Sequence, residues 1–445
     1  MTVSYWVSAA HLPDRVADRV RISERGGVIT AVATGADPAP DDIVLDGVAL
    51  PGFANTHSHT FHRALRGRTH ADGGTFWTWR QQMYAVASRL DPDRYFALAR
   101  AVYAEMVAAG MTVVGEFHYL HHDHQGRAYA DPNAMSEALV AAAADSGIRI
   151  TLLDVCYLSG GLTAAGHQPL DPVQQRFSDG TVDGWAARVG ALANRHTGAE
   201  TVRVGAAAHS VRAVPAADLA RLATLRPSGP LHVHLSEQPA ENVAVQAFYG
   251  CTPAELLHRH GLLGPTTTAV HATHLTASDI TLLGTTRTGT CFCPTTERDL
   301  ADGIGPAREL ADAGSPLSLG SDQHAVIDMF EELRGLELHE RLTTRQRGRF
   351  TPLELITAAS AAGYTSLGWH GGGRLAVGAP ADLVIIDSSS VRTAGSRTAQ
   401  IHYSAGAPDV RHVIIGGRRV VSNGTHRLGA VGELLATALT DLEDS

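Results

Sequence analysis

The stretch NTHSHTFHR, residues 55–63, sets His57 and His59 one residue apart directly after the apolar run VALPGFA. Side chains at i and i+2 of a strand leave the same face, so two imidazoles at a strand's end can share one partner, such as a metal ion. Alone, H-x-H is more often a pair of surface or packed histidines, and the rest of the chain must decide. Further along stand His209 and Arg212 in HSVR, His234 and Glu237 in HLSE, His271 in VHATHL and Asp322 in GSD. His57, His59, His234 and Asp322 make a nitrogen-rich donor set with one hard oxygen, which suits Zn2+ best, with Fe2+ and Mn2+ as alternatives. Such an ion activates water near neutral pH. Glu237, three residues past His234, is offset from the ligand position and suited to carrying protons, and His271 and Asp322 can share the proton taken from the water.

All 36 basic residues are arginine. The absence of lysine excludes Schiff-base chemistry, a lysine-based phosphate loop and a carbamylated lysine bridging two ions, so a single divalent ion is expected.

What must position these groups is a repeating order of elements. Eight short apolar or β-branched runs recur, at 49–57, 111–119, 148–155, 202–209, 231–237, 267–274, 288–294 and 315–322, with helical stretches between them. The clearest helix is DPDRYFALARAVYAEMVAAG (91–110), with Asp91 as cap, Pro92 in the first turn and Gly110 at the end. Strands that alternate with helices and are apolar on both faces form parallel sheets, and eight such units predict an α/β fold, a (β/α)8 TIM barrel over 49–375. Active sites of such barrels lie at the C-terminal ends of the strands. That is where His57, His59, Tyr119, His209, His234, Glu237, His271 and Asp322 fall, and scattered structural histidines have no reason to choose one end of several strands. The flanks, 1–48 and 376–428, are β-rich and predict one small composite β-sandwich; 429–445 predicts a closing helix.

The bulk composition sets limits. With 445 residues, 44% of them hydrophobic, the chain can bury a large core. A formal charge of −9 without a basic block argues against nucleic acid as a partner. No leader-like start or membrane-length apolar run is present, so a cytoplasmic protein without membrane association is expected. Four scattered cysteines, Cys156, Cys251, Cys291 and Cys293, are expected as reduced core thiols.

H-x-H, HLSE, VHATHL and GSD, in that order, resemble the amidohydrolase superfamily, specifically its mononuclear aminohydrolase branch. GFANTHSHTFHRALRG, FWTWRQQMY and GEFHYLHH are further similar to the formimidoylglutamate deiminases of that branch, which act in histidine degradation. The resemblance implies metal ligands His57, His59, His234 and Asp322 and proton carriers Glu237, His271 and Asp322. It implies substrate contacts from His62, Arg80, Tyr119, His209 and Arg212, a dicarboxylate small-molecule substrate and a homodimer. His62 stands where that family commonly has glutamine. Independently, Arg80 and Arg212 offer two guanidinium forks suited to two carboxylates. The crowded HYLHHDH (118–124) reads either as loop structure or as support behind the site, and the sequence leaves both open.

Overall fold

The computed structural model describes residues 2–70 and 74–443, apart from the side chains of Phe76 and Trp77. The chain begins with β1 (Thr2–His11), β2 (Val16–Arg25), β3 (Val28–Ala33) and β4 (Ile43–Pro51). The eight expected barrel strands follow in order. The first three are β5 (Phe53–Ser58), β6 (Met111–His118) and β7 (Arg149–Cys156). After a small hairpin of β8 (Gly161–Thr163) and β9 (Gly166–Gln168) come β10 (Val202–Ala208), β11 (Leu231–Leu235), β12 (Thr267–His271), β13 (Gly289–Phe292) and β14 (Leu317–Leu319). Every neighbouring pair in the barrel sheet, β5-β6-β7-β10-β11-β12-β13-β14, is parallel.

Closure of the barrel explains the sequence around the first motif. A bridge pairs Ser58 with Asp322, the Asp322 amide donates to the His57 carbonyl at 3.0 Å, and the His59 amide donates to the Asp322 carbonyl at 3.1 Å. Asn55 clamps the same seam: its amide donates to Ser321 Oγ at 2.7 Å, and its carbonyl accepts the Ser321 N–H at 2.9 Å. A Cβ on Gly320 would stand 2.8 Å from the backbone of His57, so only glycine permits this approach. NTHSH and GSD are therefore two halves of one junction.

The helices cover the outside. Helix Pro92–Ala108 is the expected one: Asp91 accepts from the Arg94 amide, and Tyr95, Leu98, Val102 and Met106 are buried. The closing helix, Val431–Glu443, packs on it.

The chain ends meet in a separate eight-stranded, mostly antiparallel sheet, with β15 (Leu383–Ile386), β16 (Val410–Ile415), β17 (Arg418–Ser422) and β18 (Thr425–His426) joining β4, β1, β2 and β3. It has its own core around Val7, Val20, Ile22, Leu45, Leu383 and Ile414. Two short 3-10 turns, Thr398–Tyr403 and Ala407–Asp409, interrupt this β-rich segment; they were not expected from its composition. Only Gly52 separates β4 from β5. Buried Asp382 ties sheet to barrel, accepting from Arg149, from the Tyr364 hydroxyl at 2.7 Å and from the Gly416 amide at 2.7 Å.

Candidate active site

The titratable groups singled out in the sequence converge at one mouth of the barrel. His57 lies at the end of β5 and His59 just past it, His234 lies near the end of β11, His271 ends β12, and Asp322 follows β14 by three residues. His234 Nε2 stands 3.1 Å from His57 Nε2 and 3.3 Å from His59 Nε2. Asp322 Oδ1 stands 3.3 Å from His57 Nε2 and 3.4 Å from His59 Nε2. The buried His59 Nδ1–H donates to the Phe117 carbonyl at 2.9 Å, which leaves its Nε2 lone pair aimed at the cluster. Burial pushes His57 down to about 3 and His59 down to about 4, so both rings are neutral. Against burial, the neighbouring His57 ring holds Asp322 well below the usual carboxylate range.

Four of the contacts between these donor atoms span 3.1–3.4 Å, and nitrogens of His57, His59 and His234 all lie within 4.8 Å of one another, a spacing from which one small cation can be held. The residues present therefore fit a divalent metal.

Local backbone geometry delivers these side chains. Ser236, His271, Ala272, Asp322 and His324 all have positive φ, between 42° and 67°, immediately past β11, β12 and β14. Non-glycine residues bear that cost where surrounding structure enforces it, commonly at functional sites. On the other side of the H-x-H turn, buried Glu116 accepts from the Thr60 amide at 2.7 Å and the Ser58 hydroxyl at 2.8 Å. Burial pushes that carboxyl up to about 7.

Proton-handling groups stand beside the cluster. His271 Nε2 is 3.8 Å from Glu237 Oε1 and 3.9 Å from Asp322 Oδ2, and its Nδ1 is 3.6 Å from Glu297 Oε1. Burial opposes charge on His271, but Glu237, Glu297 and Asp322 outweigh it and raise the ring's pKa well above its ordinary value. Burial raises that of Glu237.

Five further residues named from sequence, His62, Arg80, Tyr119, His209 and Arg212, line the same cavity as His234, Glu237, His271 and Asp322. His62 Nε2 and the Tyr119 hydroxyl are hydrogen-bonded at 2.9 Å. Arg80 lies on helix Phe76–Ala87, donates to the Tyr84 hydroxyl at 2.7 Å and sits over that ring. Arg212 donates from Nε to buried Glu241 at 3.0 Å, leaving Nη2 4.0 Å from Glu237. Burial works against the charge of Arg212, and the Glu241 carboxylate more than restores it.

Sequence reasoning missed the groups that brace these residues: Glu241 behind Arg212, Glu297 behind His271, and Gln174, which donates to the Tyr84 and Tyr157 hydroxyls at 2.9 Å each. The signal for Glu241 was its place four residues past Glu237; nothing local marks Gln174.

Within HYLHHDH, Tyr119 lines the cavity, while the following histidines meet structural partners. His121 bonds the Val155 carbonyl at 2.9 Å, His122 faces Asp179 at 3.3 Å, and Arg188 pairs with both Asp179 and Asp154. All four cysteines are buried free thiols.

A (β/α)8 barrel closed on H-x-H, with imidazoles and one carboxylate converging at its C-terminal mouth, defines a class of metal-dependent hydrolases. The chain belongs to the amidohydrolase family, whose sequence profile matches residues 48–420. It is 36% identical over 435 residues to formimidoylglutamate deiminase of Pseudomonas aeruginosa, covering 94% of each chain. It is 28% identical over 387 residues to a 5-methylthioadenosine/S-adenosylhomocysteine deaminase of Pelotomaculum thermopropionicum, covering 84% of this chain and 80% of that one. An amidohydrolase from Brucella melitensis superposes with a TM-score of 0.91 at 33% identity, over 99% of this chain and 100% of the other. No helix among the described residues is long and apolar enough to cross a membrane.

Proposed function

We propose that the chain hydrolyses N-formimidoyl-L-glutamate to N-formyl-L-glutamate and ammonia, a step of histidine degradation. The observation that carries this reading is the pairing of two guanidinium groups, Arg80 and Arg212, with the imidazole–carboxylate cluster in one cavity. A substrate with two carboxylates and one electrophilic C=N carbon matches that arrangement. The 36% identical relative supports it.

His57, His59, His234 and Asp322 would hold one divalent ion, Zn2+ by donor type, with Fe2+ or Mn2+ as alternatives. When bound, such an ion supplies water activated as a nucleophile and a positive charge beside the developing oxyanion. Arg212, fixed by Glu241, takes one substrate carboxylate. Arg80 takes the other, with Tyr119, His209 and His62 filling the space between them. Holding both ends removes rotational freedom and places the formimino carbon against the cluster. Asp322 accepts the proton released as water adds to the C=N carbon and passes it on through the charged His271 ring, 3.9 Å away. Glu237 donates a proton to the imino nitrogen, giving a carbinolamine; the proton relayed by His271 then reaches that nitrogen as the hydroxyl proton returns to Glu237, the C–N bond breaks, ammonia leaves and a formyl C=O remains. The elevated pKa of Glu237, raised by burial, suits a proton donor near neutral pH.

A panel of N-formimidoyl-L-glutamate, guanine, cytosine, S-adenosylhomocysteine and a triazine, assayed for ammonia with product identification, tests the assignment. Turnover of formimidoylglutamate well above the heterocycles supports it; preference for a heterocycle replaces it.

A further inference from the structure

Around His271 the barrel mouth gathers more negative charge than the reaction uses. Glu237, Glu297 and Asp322 lie 3.6–3.9 Å from its two nitrogens, and Asp302 completes the group. With Asp322 engaged by the histidines of the first cluster, three carboxylates share one imidazole. The nearest guanidinium, Arg212, already pairs with Glu241.

Asp302 is the informative member. It is 3% exposed; one carboxylate oxygen accepts from the Gln238 amide, and the other, Oδ2, is buried with no hydrogen-bond partner. An orphaned buried carboxylate oxygen is costly unless a cation or donor meets it. Ligating atoms of Glu237, His271 and Asp302 all lie within 4.8 Å of one another. Burial, then the facing Glu237, push Asp302 up to about 9, the behaviour of an acid lacking a counter-ion.

From this geometry we propose that Glu237, His271 and Asp302 form a second divalent-cation site beside the first, whose occupation inhibits the enzyme. Two carboxylates and one imidazole suit Zn2+ or Mn2+. The four-donor cluster has three imidazoles to this site's one and presents the stronger zinc site, so the second fills after it. Inhibition rests on the proton-carrying roles proposed above: an ion on Glu237 and His271 occupies the lone pairs that would move protons. Binding itself rests on the geometry alone.

The test is equilibrium dialysis of the full-length protein against rising zinc, with metal content read by elemental analysis beside ammonia release from N-formimidoyl-L-glutamate. Wild type is expected to take up a second equivalent and to lose activity over the same zinc range. Asp302→Asn should keep the first equivalent and hold the second at least about tenfold more weakly, since losing even a group that only supports a ligand costs about 10–100-fold. Its inhibition, measured against its own one-equivalent rate, should shift equally. Retention of the first equivalent certifies its fold; if it is lost, Asp302→Ser takes its place. Saturation of wild type at one equivalent in millimolar zinc overturns the site, as does a second equivalent undiminished in the Asp302 variant. Two bound equivalents with full turnover overturn the inhibitory role. A protein inactive on formimidoylglutamate refutes the substrate assignment, while the dialysis still decides the site.

Discussion

His57 and His234 come from β5 and β11, 177 positions apart, yet their Nε2 atoms stand 3.1 Å from each other inside the barrel mouth. Two neutral imidazoles at that separation either share one N–H···N hydrogen bond or turn both lone pairs toward one cation. Removing His234 removes one wall of the cluster, and His234→Ala is expected to purify with well under one metal equivalent while wild type carries one. Elemental analysis beside circular dichroism checks this; a folded His234→Ala that keeps a full equivalent would place the metal elsewhere.

The proton carriers should fail differently. Glu237→Gln and His271→Asn are each expected to retain the metal and lose about 10²–10⁴-fold in turnover, the usual contribution of a positioned acid or base. Paired metal and kinetic measurements separate this from ligand loss. Wild-type turnover in either variant takes that residue out of the chemistry.

Arg80 and Arg212 answer for substrate choice. Arg80→Met and Arg212→Met should each raise KM for the diacid by about 10- to 100-fold, since a charge-assisted hydrogen bond contributes about 1.5–3 kcal/mol. A formimino compound lacking one carboxylate should feel only one of the two changes. Because Arg212→Met also strands buried Glu241, it is best compared with Arg212→Met/Glu241→Gln. Undiminished preference for the diacid in both single variants would rule out the two-arginine anchor.

Arg188 tests the reading of the histidine-rich loop. Its guanidinium lies between the buried carboxylates of Asp154 and Asp179, and Trp185 donates to Asp154 as well. Arg188→Met takes the guanidinium from two buried acids and should cost about 3–5 kcal/mol in stability, with metal content unchanged. Denaturant unfolding measures it; a loss of metal instead would make the loop part of the site.

The barrel was legible because its strands are apolar on both faces and separated by capped helices, a pattern set locally. The cluster was legible because a polar residue at the end of such a strand, as at His57, His234, His271 and Asp322, has no packing reason to be there. What the sequence hid comes from elements that meet only in three dimensions. Glu297 faces His271 from the helix after β13, Asp302 lies just beyond that helix, and Gln174 reaches Tyr84 across 90 positions. Their spacing to the site depends on how the βα loops pack, which no local pattern encodes. Asn55 and Gly320 were in plain view within the quoted motifs, but their role as the barrel's seam follows only from the approach of β14 to β5.

Stepwise addition of Zn2+ to metal-free protein, with ammonia and N-formyl-L-glutamate measured from N-formimidoyl-L-glutamate, bears most directly on a hydrolase built on one cation at His57, His59, His234 and Asp322. Product should rise in proportion to metal and level off at one equivalent per chain. Full turnover in the metal-free protein, or no ammonia at any loading, would contradict it.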